Sequence, residues 1–119
     1  MDNKQALSKE TQLTLVKGEK VAIWSEMNME YEGDVLLLFK IEILKDGKEF
    51  KSIEFDPRDK NVSIKEVLIH KNGKTKWRFQ GKNAKILIEE DGIYTFKGIL
   101  VASENSSLIL HKAELIFKT

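Results

Sequence analysis

The chain has 119 residues, of which 41% are hydrophobic and 33% charged, and its net charge is +1. That balance describes one globular domain rather than a disordered or fibrous chain, and it supplies no global field to gather nucleic acid or an anionic membrane surface. The absence of cysteine excludes a disulfide framework and any thiolate site.

Residues 1–11 are polar and read as a flexible N-terminal segment ahead of a single domain over 12–119. That opening lacks a basic end followed by an apolar run, so it does not read as a signal peptide. The densest apolar run, Leu36 to Phe39, is far too short to cross a membrane. The expectation is a cytoplasmic protein without membrane partners.

From there alternation of apolar and polar residues dominates. It predicts strands over residues 12–16, 20–30, 35–45, 48–55, 62–71, 74–80, 84–89, 93–102 and 108–118. Turn chemistry marks the breaks, as at Glu32-Gly33-Asp34, Asp56-Pro57 and Asp91-Gly92. Two breaks predict hairpins. Asp46-Gly47 suits a two-residue turn and would set Ile43 opposite Phe50. Asn72-Gly73 pairs Lys71 with Lys74, His70 with Thr75 and Leu68 with Trp77, gathering Ile64, Leu68, Trp77 and Phe79 on one face.

Eight or nine strands with no helix predict an all-β fold, a two-sheet antiparallel β-sandwich of jelly-roll-like or Ig-like topology. Tyr94, Phe96 and Leu100 should point inward, Gly98 should let the opposite sheet approach, and the Tyr94 hydroxyl should tie to nearby backbone. In the final strand two phases stay open. Either Leu108 and Leu110 face inward with a bulge after them, or Ile109, His111, Ala113, Leu115 and Phe117 form one inward row.

One residue breaks the alternation. In the strand from residue 20, Val21, Ile23, Met27, Met29 and Tyr31 share the apolar face, yet Trp24 falls on the other with Ala22, Glu26, Asn28 and Glu30. Burying a tryptophan removes roughly 150–250 Å² from water, about 4–6 kcal/mol, so something should cover it. If the next strand lies alongside, Trp24 faces Lys40 and sits diagonal to Leu38. Three readings of the strip Ala22, Trp24, Leu36 and Leu38 follow. The N-terminal segment covers Trp24 or a bulge near Ser25 re-aims it inward; the strip is a surface for a protein partner or a second copy, making a homo-oligomer; or Trp24 stacks on carbohydrate, with Glu26, Asn28 and Lys40 bonding the hydroxyls.

Catalytic and metal signals are sparse. The acidic runs at Glu30, Glu32 and Asp34 and at Glu89, Glu90 and Asp91 lack calcium-loop spacing, and His70 and His111 have no ligand-spaced companion, so no metal or cofactor is expected. No nucleophile elbow, phosphate loop or zinc-protease motif occurs. Glu66, set opposite Phe79, is either turned out by a bulge near Lys65 or buried with a raised pKa; the phase switch to Val67 and Ile69 favours the bulge. Lys71, Lys74, Lys76 and Arg78 form the one basic stretch, but Trp77 and Phe79 fall on the opposite face from Lys76 and Arg78, so no stacking aromatic stands among the charges as single-strand binding would require; these lysines read as edge protection and nucleic acid is not the expected partner. The sequons at Asn61 and Asn105 read as coincidence without a secretion signal. The functional expectation is a non-catalytic interaction module centred on Trp24, Leu36, Leu38, Lys40 and Glu26, with carbohydrate binding and a small enzyme as alternatives.

Overall fold

A computed structural model describes residues 5–103 and 105–119. Its strands are β1 (Gln5–Leu15), β2 (Lys20–Glu32), β3 (Leu37–Lys45), β4 (Lys48–Phe55), β5 (Val62–Lys71), β6 (Lys74–Leu87), β7 (Gly92–Ala102) and β8 (Ile109–Lys118). All pairings are antiparallel, and the order is β1-β7-β3-β4 in one sheet and β5-β6-β2-β8 in the other. The described residues include no helix, hence none long and apolar enough to cross a membrane. The first two strands pair in an Ig constant domain; here β1 pairs β7, and β2 lies in the other sheet.

The apolar rows of the two sheets meet face to face. Val21, Ile23, Met27 and Met29 of β2 and Leu37, Phe39, Ile41 and Ile43 of β3 are all buried. Phe96 of β7 packs on Phe117 of β8 with ring centroids 4.8 Å apart. Gly98 leaves room for Leu115 of β8, whose Cδ1 occupies the place of a glycine-98 Cβ. Tyr94 is fully buried and its hydroxyl donates to the Glu90 carbonyl at 2.7 Å, as expected of a tyrosine at a strand entry.

β1 begins at Gln5, seven residues before the expected start, and pairs with β7 up to Gln5–Ala102. The segment expected to be loose over residues 5–11 is therefore ladder; residues 1–4 lie outside the described part. Its polar sequence belongs to an edge strand. Lys9 points to the inner side and donates to the Leu115 carbonyl at 2.6 Å, bridging the two sheets.

Bulges explain where simple alternation fails, three of them in β6, β8 and β4. In β6 Asn83 has no opposite number: Ile23 pairs Ala84 and Trp24 pairs Lys82, so the inward series shifts from Thr75, Trp77, Phe79 to Ala84 and Ile86, and one strand reads as two. In β8 His111 is the extra residue, which keeps Leu108 and Leu110 toward the core before the bulge and Ala113, Leu115 and Phe117 after it. In β4 Phe50 is skipped, so Ile43 faces Lys51 rather than Phe50, and the Phe50 ring packs edge-on against Tyr94 at 5.4 Å.

Candidate interaction surface

The expected strip does not form. β2 and β3 belong to different sheets, so Trp24 lies on the outer side of one and Leu38 on the outer side of the other; Leu36 precedes β3 and is exposed. Lys40 pairs Glu54 and Ile99 within its own sheet, far from the Trp24 ladder. Of the residues expected around Trp24, Ala22, Glu26 and Asn28 on its own strand share its face, and Lys112 reaches Glu26 at 3.1 Å. The β2–β6 bulge leaves Trp24 facing outward, and β1 lies in the other sheet, so neither expected cover applies among the described residues. Lys118 covers the ring instead, its Nζ 4.4 Å from the centroid, and Ile116 and Lys82 sit opposite on the neighbouring strands. This is a cation–π cap on a half-buried indole.

A different element is anomalous. β5 is an edge strand in which all ten residues are exposed. Val62, Ile64, Val67, Leu68 and Ile69 are each 42–53% exposed. The other edges carry interspersed charge: Lys48, Glu49, Lys51 and Glu54 on β4, Lys112, Glu114 and Lys118 on β8, and the inward Lys9 on β1. Such charges block strand addition. β5 carries Lys65, Glu66 and Lys71 as well, but its run Val67-Leu68-Ile69 is exposed, whereas the comparable run Leu115-Ile116-Phe117 on β8 is buried or half-buried.

The hairpin fixes how that run is presented. Asn72 and Gly73 have φ of 53° and 78°, the positive pair of a type I′ turn, and Lys71 pairs Lys74, His70 pairs Thr75 and Leu68 pairs Trp77, the expected register. A two-residue turn makes Lys71–Lys74 a hydrogen-bonded pair, and such pairs alternate along an antiparallel ladder. The backbone N–H and C=O groups of Glu66, Leu68 and His70 therefore point away from β6, to the open edge. Val67 and Ile69 stand on the outer face and Leu68 on the inner.

A bulge ends the run on its other side. Lys65 has φ of 54° and the register slips between Ile64 and Val67. It moves Ile64 to the outer face, opposite Gln80, rather than beside Leu68 and Phe79 as expected. It also leaves Glu66 on the inner side in a polar cluster. The Glu66 carboxylate accepts from Trp77 Nε1 at 2.7 Å and Ser63 Oγ at 2.8 Å, and pairs with Lys60 Nζ at 2.9 Å. Those partners, Lys60 first, hold its pKa down to about 2. The bulge expected at Lys65 is present but does not turn Glu66 outward as expected, and its polar partners lower this carboxyl rather than burial raising it.

Lys60 lies over both the Trp77 and Phe79 rings, 5.0 and 4.6 Å from their centroids. The loop that carries it is tied down by Asn83, whose amide donates to the Pro57 and Asp59 carbonyls at 3.0 and 2.7 Å. Ser25, fully buried, donates to the same side chain at 2.6 Å. Asn83 is thus the bulge residue that anchors the support of Trp77, and no sequence motif marks it. At the hairpin tip, His70 Nδ1 bonds Thr75 Oγ1 at 2.8 Å. His111 lies elsewhere on the sheet, 2.6 Å from Glu30, and this contact, with help from Lys74, lowers the Glu30 pKa.

No protein-family model matches the chain, and no curated protein or solved structure matches it significantly.

Proposed function

We propose that this domain is a non-catalytic interaction module whose contact surface is the open edge of β5 rather than the surroundings of Trp24. A single observation carries the reading: a ten-residue edge strand, exposed throughout, presents Val67, Leu68 and Ile69 beside unpaired backbone groups. Main-chain pairing to such an edge supplies affinity, and the alternating side chains supply selectivity. The support beneath it is held in place. Lys60, Glu66 and Trp77 lock the bulge, so the edge is presented in one geometry. We read the architecture as a β-sandwich that shares the strand number of a jelly roll.

Carbohydrate stacking on Trp24 is the weaker reading, because Lys118 already occupies a face of that ring.

The test uses a generic strand probe, a short peptide of alternating valine and threonine, with Trp77 as the reporter in a Trp24→Phe background. Saturable change in Trp77 emission, lost in Leu68→Lys, is the expected result. An emission that stays flat at millimolar peptide overturns the reading.

A further inference from the structure

We infer that the partner of this edge is a second copy of the same chain, with β5 pairing antiparallel to β5 across a twofold axis at Leu68. The inference rests on the β5 reading above and adds the occupant. Its basis is that the segment from Glu66 to His70 is complementary to itself in three respects at once.

The first is the hydrogen-bond ladder. Residues whose backbone groups face the open edge are Glu66, Leu68 and His70, spaced evenly about Leu68 in a register set by the Asn72-Gly73 turn. Centring the axis there sets Leu68 against Leu68 of the second copy and Glu66 against His70, each a closely spaced pair exchanging two bonds. Three such pairs give six bonds. Moving the axis to Val67 or Ile69 would still match open-edge groups, but between the Lys65 bulge and the Asn72-Gly73 turn it would leave two such pairs rather than three and would set Glu66 or His70 against Leu68.

The second is charge. In this register Glu66 of one copy, its carboxylate already holding Trp77, Ser63 and Lys60 but with a lone pair to spare, stands beside His70 of the other, and this happens twice by symmetry. Thr75 holds His70 at Nδ1, which leaves Nε2 directed away from its own strand partner. The third is the apolar row. Val67 meets Ile69 of the second copy on the outer face, again twice, and the two Leu68 side chains meet on the inner face.

The same register limits the contact. Lys65 would oppose Lys71 just beyond each end, and Lys65 is in the bulge, so pairing stops after five residues. Both β5 edges are consumed, which closes the assembly as a dimer. Five paired residues per chain fall short of the ~1,000 Å² of a stable interface, so the dimer is a weak one that depends on concentration.

The chain has no cysteine, which permits a register test. Val67 and Ile69 of the second copy form a non-hydrogen-bonded pair with Cα atoms about 4.5 Å apart, within disulfide range. A mixture of Val67→Cys and Ile69→Cys chains should form a crosslinked dimer under mild oxidation at least tenfold faster than either variant alone. Sedimentation of the unmodified chain should show mass rising with concentration toward twice the monomer, and Leu68→Lys should weaken that association at least tenfold. A chain that stays monomeric at millimolar concentration, or single variants that crosslink as fast as the mixture, would overturn the proposal. If the valine-threonine peptide still binds in that case, the edge takes a different chain and only the second copy is excluded; if it does not, the β5 reading falls as well.

Discussion

The indole of Trp77 donates to the Glu66 carboxylate at 2.7 Å, while Lys60 reaches the same carboxylate at 2.9 Å from above the ring. A carboxyl held at about 2 when folded and at about 4.3 when unfolded stabilises the fold above the unfolded value. That contribution is lost as pH falls through the window from about 4.3 to 2. Because the cluster is partly solvated, Glu66→Gln should cost only about 0.5–1 kcal/mol at pH 7. Melting temperatures measured from pH 7 to 2 should show the two proteins converging below pH 3. Parallel curves across that range would show that the cluster does not hold the proton off.

Trp24 and Leu38 occupy the outer faces of opposite sheets, Trp24 beside Ile116 and Leu38 beside Val101. Side chains that share no partner contribute independently, to within about 0.3–0.5 kcal/mol. Trp24→Ala and Leu38→Ala should therefore add in the double variant when stability is measured by urea unfolding. A coupling above about 1 kcal/mol would mean that the two do form one apolar strip.

The separation of those two residues marks the limit of what alternation can tell. The β4 and β5 spans and the Asn72-Gly73 register were legible because a two-residue turn sets the pairing beside it, although a bulge further along can still shift the register, as Phe50 does after Asp46-Gly47. The inward rows of β2, β3 and β7 were legible for the same reason that Phe39 and Phe96 are buried: two packed sheets sort residues by parity. Strand order was not. Parity says which residues face the core but carries no information on which strand lies alongside, and the placement of Trp24 beside Leu38 assumed sequential neighbours. Bulges were only partly legible. That at Lys65 announced itself by a phase switch, whereas Asn83 divided β6 in two on paper and Phe50 shifted the β3–β4 register unseen. The β5 edge was hidden for a related reason: its apolar residues look like core until the sheet order leaves them uncovered.

Arg58 joins the β4–β5 loop to the end of β2. Its guanidinium forks onto Asp56 at 2.6 and 2.9 Å, donates to the Val35 carbonyl at 2.9 Å and reaches the Tyr31 hydroxyl at 3.3 Å. The Asp56 carboxylate beside it raises its pKa, so it stays charged at any working pH. Lysine keeps the charge but offers no planar fork. Arg58→Lys should cost about 1–3 kcal/mol, since a half-buried carbonyl and carboxylate lose charged donors. Denaturant unfolding measures this directly, and a loss under about 0.5 kcal/mol would mean that the loop is held by Asn83 alone.

Gly98 meets Leu115 across the two sheets. A methyl group at residue 98 would overlap Leu115 Cδ1, and Leu115 is 2% exposed. A cavity of about 190 Å³ lined by Lys9, Phe39 and Ala113 adjoins the contact, so Leu115 has somewhere to move and the strain is only partly relieved. Gly98→Ala should destabilise by about 1–3 kcal/mol through overpacking. Leu115→Ala should cost about 2–5 kcal/mol by emptying the same space. The two changes compensate sterically, so the double variant should be at least about 1 kcal/mol more stable than the sum predicts. A strictly additive cycle, read by urea unfolding, would mean that the sheets absorb the added methyl by shifting the backbone and that this contact does not set their spacing.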